Sequence, residues 1–233
     1  MTTPFTSGTT WLVIDASTYA GTVAVLRGRD VVAAREVAMR GEREERLMPT
    51  VVDALHAAGA SPRDLAGLVC GAGPGSFTSL RIAASIAKGL AQVAARPLFA
   101  APSLALKMGG RHTAGRHLAS LDALRGESYA AVVALDDAGD VVGYEYLGVV
   151  HSDALDDLAR AHHATPLRAG ESTAPRAAAV AALGRLLAER GPVDLDAWEP
   201  DYGRKAEAQV KWEAAHGREL PSVAVALDGG AGS

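Results

Sequence analysis

Gly71-Ala72-Gly73-Pro74-Gly75-Ser76-Phe77-Thr78-Ser79-Leu80-Arg81-Ile82-Ala83-Ala84-Ser85-Ile86-Ala87-Lys88-Gly89-Leu90 is the stretch that decides how this chain is read. The apolar run Leu65–Cys70 leads into it and reads as a buried strand. Gly71, Gly73 and Gly75 then alternate with small residues, which lets the backbone turn sharply with little side-chain bulk above it, and Pro74 stiffens the middle. Ser76 or Thr78 can cap the helix that follows. In that helix Ile82, Ile86 and Leu90 form one stripe, and Ala83, Ala87, Ala91 and Ala94 form a second, so two of its faces are expected to be buried.

A glycine-rich turn feeding a helix N-terminus suits an anion, because free N–H groups and the helix dipole converge there. It is equally what a tight strand-to-helix turn requires for geometry alone. The stretch is not a P-loop, since no Gly-Lys-Ser/Thr follows and Lys88 lies within the helix, and its glycine spacing is not G-x-G-x-x-G.

Outward from this centre the chain reads as alternating short elements. Trp11–Asp15 is a compact strand ending in a carboxylate, and strands at Thr22–Leu26 and Val31–Val37 flank the turn Gly28-Arg29-Asp30. A helix is expected over Gly41–Ala58, opening on the charge run Glu42–Arg46, with Leu47, Val51 and Leu55 as one stripe and Met48 and Val52 beside it. Pro49 marks either a kink or the true first turn. Ser61-Pro62-Arg63-Asp64 is a capped restart before the central strand. Strand Pro97–Ala100 and a helix from Ser103 complete the order βββαβαβα. The second half repeats it in outline, with strands at Leu118–Asp122, Tyr129–Leu135 and Val141–Val149, a polar helical segment over Ser152–His162 and a long alanine-rich helix over Pro175–Arg190. Such a duplication predicts two lobes around a cleft.

The chain has 233 residues, a net charge of −4 and no apolar run long enough to cross a membrane. The start, MTTPFTSGTT, lacks a charged n-region and an apolar h-region, and the single cysteine, Cys70, cannot form an internal disulfide. These features lead us to expect a cytoplasmic protein. No basic surplus is present to hold nucleic-acid phosphates unaided.

Gly73–Ile82, continued by Ala87-Lys88-Gly89-Leu90, resembles the signature of the TsaB family, the accessory subunits of bacterial tRNA threonylcarbamoyladenosine synthesis. Two weaker echoes follow. Asp122–Tyr129 is similar to a D-A-R-x-x-E-V-Y segment, departing from it at Leu124 and Ser128, and Pro200, Tyr202 and Arg204 match a closing P-x-Y-x-R element. The resemblance is strong over Trp11–Leu106 and weak elsewhere.

What it implies is an α/β fold of the actin-like ATPase (ASKHA, ribonuclease H-like) class, a duplicated βββαβα fold in two lobes. The corresponding division is a flexible 1–10, an N-terminal lobe at 11–108, a reduced C-terminal lobe at 109–205, and a charged helix or tail at 206–233 with a disordered end. It also implies a pseudoenzyme that heterodimerises with a catalytic threonylcarbamoyltransferase paralogue and works with an ATPase subunit. The modified site is adenosine 37 of tRNA, reached only through the complex. ATP or ADP would bind, if at all, within that complex, and the chain alone would form homodimers. The paralogue's partner surface maps onto Leu47, Met48, Val51, Val52, Leu55, Arg81, Ile82, Ser85 and Ile86. The signature turn is Gly73, Pro74, Gly75, Ser76, Phe77 and Thr78, and Asp15 with Ser17 resembles a first phosphate loop; by physics alone Asp15 is also simply an acid capping its turn. The paralogue's metal-binding histidines fall by register at Ser103 and Lys107, neither of which supplies an imidazole, so no metal is expected. An ATP-dependent actin-like transferase or kinase using Asp15, Ser17 and Gly73–Ser76, and a metalloprotease-like enzyme, are the alternatives.

Overall fold

In the computed structural model the described residues are 4–40, 45–108, 113–167, 175–204 and 215–217. The first sheet runs in the order β3-β2-β1-β4-β5, from β1 (Thr10–Asp15), β2 (Ala20–Arg27), β3 (Asp30–Ala38), β4 (Leu65–Gly71) and β5 (Leu98–Ala101). Its first three strands are antiparallel, and β4 and β5 continue parallel to β1. The second sheet repeats the pattern as β8-β7-β6-β9, from β6 (Gly115–Asp122), β7 (Glu127–Leu135), β8 (Val141–His151) and β9 (Thr165–Pro166). Here too a three-stranded meander is joined by a parallel fourth strand, so the duplication read from the sequence is present.

The strands are placed by period-2 alternation. On β1, Leu12 and Ile14 face one way, onto helices α1 (Leu47–Ala57) and α2 (Phe77–Ala94). Trp11 and Val13 face the other way, into a core shared with β6–β8, the short α3 (Ser103–Leu106), a 3₁₀ segment at Ala177–Leu183 and α5 (Gly184–Arg190). Leu118, Ala130 and Val132 on the far face of the second sheet pack with α4 (Leu155–Ala161). The layers therefore run α1/α2, first sheet, central helices, second sheet, α4. The central layer is continuous apolar contact between the two halves.

Several expectations change in detail. The helix expected over Gly41–Ala58 begins at Leu47, with the Glu45 carboxylate accepting from the backbone N–H groups of Leu47 and Met48; residues 41–44 lie outside the described residues. Pro49 thus sits in the first turn, where its missing N–H costs nothing. Ser61 and Asp64 form the expected reciprocal cap. The long helix expected over Pro175–Arg190 divides into the 3₁₀ segment and α5, joined at Gly184. Strand β9, two residues long, gives no periodic signal. Residues 193–202, placed in the second half by sequence, return to the first: Val193 N–H donates to Leu98 O at 2.8 Å, and Trp198 is buried in the apolar cluster that also holds the inner faces of α1 and α2. Of the expected tail at 206–233, only 215–217 are described, and the end expected to be disordered, 228–233, lies outside the described residues.

Trp11 is fully buried and its ring lies where a side chain on Gly67 would stand. Gly67→Ala therefore overpacks the sheet and lowers the unfolding free energy by about 1–3 kcal/mol. Urea denaturation followed by tryptophan fluorescence reads this directly; an unchanged midpoint would contradict the packing.

Candidate functional site

The glycine turn sits at the C-terminal ends of β1 and β4, where an open α/β sheet places its ligands. Asp15 closes β1, pointing into the central layer with Trp11 and Val13, and is fully buried. Three donors hold its carboxylate: Ser103 Oγ at 2.6 Å on Oδ2, and Ser17 Oγ at 2.8 Å and Ser17 N–H at 3.1 Å on Oδ1. Burial pushes its pKa up, against the downward pull of these hydrogen bonds. The neighbouring Cys70 thiol is also pushed up, by burial first and by the Asp15 charge second, which leaves it an inert core side chain.

Ser103, which has no imidazole to offer a metal, has another role. It is the hinge of the site: its Oγ also accepts from Gly73 N–H at 3.0 Å, and its own N–H donates to Gly73 O at 2.9 Å. Lys107, the other such position, donates to Ser120 O at 2.5 Å, and its partial burial lowers its pKa. His117 is buried with Nε2 against Thr113 O, while His112 lies outside the described residues. Among the described residues no three His, Cys, Asp or Glu side chains converge in a way that could hold a metal ion.

Each glycine of the turn leaves a slot, and each slot is filled by the protein itself. The Asp15 carboxylate lies in the space a Gly71 side chain would take, and Ser17 O in that of Gly75. At Gly73, whose φ is +90°, the slot holds Asp201 O. Ser76 N–H donates to Ser17 O at 2.8 Å, drawing the two loops together. Ser76 occupies the N-cap position but its hydroxyl meets Ser79 Oγ at 3.0 Å and caps no backbone N–H; Thr78 lies inside the helix. The space beside each of these three glycines is therefore taken by the Asp15 carboxylate or by a backbone carbonyl of the chain.

Asp201 belongs to a strap the sequence reading placed only by resemblance. Asp201 N–H donates to Ala72 O at 2.8 Å, Tyr202 packs on Phe77 with ring centroids 4.4 Å apart, and Lys88 Nζ donates to Trp198 O at 3.0 Å. Toward the second half, Tyr129 OH donates to Tyr202 O at 3.3 Å and Arg204 pairs with Glu127. The bend before Glu127 is held by Leu124 N–H on Asp122 Oδ1 at 2.7 Å.

The helix positions divide cleanly. Leu47, Val51 and Leu55 pack into the core beneath α1 and cannot face a partner, which corrects their assignment to the docking surface. On α2 the alanine stripe (Ala83, Ala87, Ala91) lies against the sheet, while Ile82, Ile86 and Leu90 are only half-buried. Arg81 and Ser85 are exposed, Met48 is half-buried and Val52 is 54% exposed. Arg81 lies over the Phe77 ring, 5.3 Å from its centroid. Thus Met48 and Val52 on α1, and Arg81, Ile82, Ser85 and Ile86 on α2, are the positions of that set that stay accessible, and Val93, 85% exposed on α2, is one the sequence reading missed.

A family model described as TsaD, tRNA N6-adenosine threonylcarbamoyltransferase, matches residues 36–162. A tRNA threonylcarbamoyladenosine biosynthesis protein TsaB of Bacillus subtilis is 30% identical over 228 residues, covering 87% of this chain and 97% of that protein. Its namesake in Escherichia coli is 32% identical over 232 residues, covering 89% and 99%. Among solved structures, YeaZ from Pseudomonas aeruginosa superposes with a TM-score of 0.66 at 26% identity, covering 83% of this chain and 99% of that one.

Because the Asp15 pKa is raised in the folded state, its contribution to stability is full below the ordinary aspartate value of about 3.9 and is lost as pH rises through the raised one. Asp15→Asn removes that loss. Urea midpoints measured across the acid-to-neutral range should therefore fall with rising pH more steeply in the unaltered protein than in the variant; parallel profiles would show that Asp15 is not desolvated. Asp15→Ala, which strips the acceptor from both serines, should cost about 1–3 kcal/mol.

Proposed function

The chain belongs to the TsaB family of tRNA threonylcarbamoyladenosine biosynthesis proteins, and from that premise we propose that it serves the pathway as a non-catalytic scaffold. Its role is to heterodimerise with a threonylcarbamoyltransferase of the TsaD family through the outer surface of α1 and α2. An ATPase subunit joins the pair, tRNA is contacted through the assembly rather than by this chain alone, and the setting is the cytoplasm. In the absence of the partner the same surface pairs two copies of the chain.

The observation that carries this reading is the contrast between a filled cradle and an open helix face. Asp15 is held by Ser17 and Ser103, Gly73 and Ser76 N–H are taken by Ser103 Oγ and Ser17 O, and Ser17 O and Asp201 O stand in the slots at Gly75 and Gly73. A nucleotide-handling enzyme needs those N–H groups and slots free. Ile82, Ile86, Met48 and Val52, by contrast, lie on the outside of helices whose other faces already complete the core. Adjacent half-exposed apolar side chains on two neighbouring helices are the form a protein-binding patch takes. The TsaD family model aligns over residues 36–162, which include α1 and α2, so the proposed partner shares this part of the fold and presents a comparable helix pair.

Val52→Glu places a carboxylate at an exposed position of that surface, and Ile86→Glu places one at a half-buried position that also packs on the core. Each should weaken binding to the TsaD-family protein of the same organism by about 100-fold or more in isothermal titration calorimetry, and Val52→Glu should do so with the melting temperature within about 2 °C of the unaltered chain. Binding unaffected by either substitution would overturn the assignment.

A further inference from the structure

Tyr146 Oη is enclosed within the protein and meets no hydrogen-bond partner among the described residues. A buried hydroxyl in that position has given up its hydration with nothing in return, and such a group calls for a reason. The second sheet sets its place. Tyr146 on β8 stands opposite Ala131 on β7, and Tyr129 lies two residues along β7 on the same inward face. Tyr129 OH donates to Tyr202 O of the strap, and at 3.3 Å that bond is long for a hydroxyl donor. The strap meanwhile keeps its strongest acceptor outside: Asp201 is exposed, and its Oδ1 accepts from Gly203 N–H at 2.7 Å. Burial pushes the Tyr146 phenol up, the Asp201 charge adds to that and Arg204 pulls the other way, so both strap charges are felt at this hydroxyl. An unpartnered donor and an exposed carboxylate thus lie close together at one short segment.

We propose that the strap is a latch with two seatings. In the one described above, Asp201 O closes the slot at Gly73; in the other, the Asp201 carboxylate turns inward, accepts from Tyr146 Oη, and withdraws Asp201 O from that slot. The second seating gives up the bond from Asp201 N–H to Ala72 O and that from Gly203 N–H to the carboxylate. In return it gains a charge-assisted bond to a hydroxyl that otherwise has none, so the two lie close in free energy. Gly203, with φ at +67°, has the backbone freedom to follow the change. Lys88 on Trp198 O and Tyr202 on Phe77 tether the strap at either side of Asp201. The turn keeps its bonds to Ser17 and Ser103 in both seatings, so what moves is the cover over the C-terminal ends of β1 and β4. This inference concerns the chain by itself and does not depend on the scaffold reading.

Amide hydrogen exchange of the full chain, read on peptides spanning 198–204, tests the latch with two variants that each remove one hydroxyl and keep the ring. Tyr146→Phe removes the catch of the second seating, so exchange at Asp201 and Gly203 should slow by about 5-fold, the worth of one hydrogen bond. Tyr129→Phe removes a bond of the first seating and should speed the same exchange by a similar factor. A merely structural hydroxyl would not slow exchange when deleted. Unchanged or faster exchange in Tyr146→Phe, with the fold intact by circular dichroism, overturns the latch whatever happens to the melting temperature. A crystal structure of the unaltered chain that shows an ordered water on Tyr146 Oη beneath a strap in a single position overturns it as well, independently of how the variants fold.

Discussion

The Asp15 carboxylate, buried at the end of β1, is the constraint on which the rest of the structure depends. An ion removed from water is tolerated only where hydrogen bonds replace its hydration. Here the replacements come from both ends of the lobe, from Ser17 in the adjacent loop and from Ser103 at the head of α3. Ser103 in turn grips Gly73 through two hydrogen bonds, so satisfying one carboxylate also fixes the turn that launches α2. Gly71 must lack a side chain because the carboxylate stands there, and Gly75 because Ser17 O does. The glycines so prominent in the sequence thus serve close packing within the chain.

The strap extends this logic across the two halves. Asp201 O closes the slot at Gly73, Tyr202 covers Phe77, and Arg204 reaches Glu127 at the start of β7. The strap therefore ties the first turn of α2 to the second sheet. With the alanine face of α2 pressed on the first sheet and its amino end clasped by the strap, the outward Ile82 and Ile86 stand on a rigid base. A preorganised surface loses less freedom on association than a loose one.

Much of this was legible in the residues. Alternating apolar runs located the strands of both meanders, and the repeated order disclosed the duplication. Ser61 and Asp64 announced their cap by spacing alone. What could not be read has physical causes. Both stripes of α2 are apolar, and only the sheet beneath, already filled by Leu68 and Cys70, selects alanine as the inward one. Ser103 carries no pattern; its meaning lies in Asp15, brought beside it only by the pairing of β1, β4 and β5. The strap contains Pro200 and Gly203, has no periodicity, and finds its partners at Ala72 and Gly73, distant in the sequence. The break between the 3₁₀ segment and α5 falls inside a run of alanines that gives a continuous helical pattern.

Amide hydrogen exchange, followed by mass spectrometry with and without the TsaD-family protein, tests the central claim most directly. If the cradle is filled from within and recognition belongs to the helix face, peptides covering 47–57 and 80–94 gain protection in the complex. Those covering 15–17 and 71–76 are then already protected in the isolated chain and stay unchanged. Rapid exchange at 71–76 in the isolated chain, giving way to protection in the complex while the helices remain as they were, would contradict it.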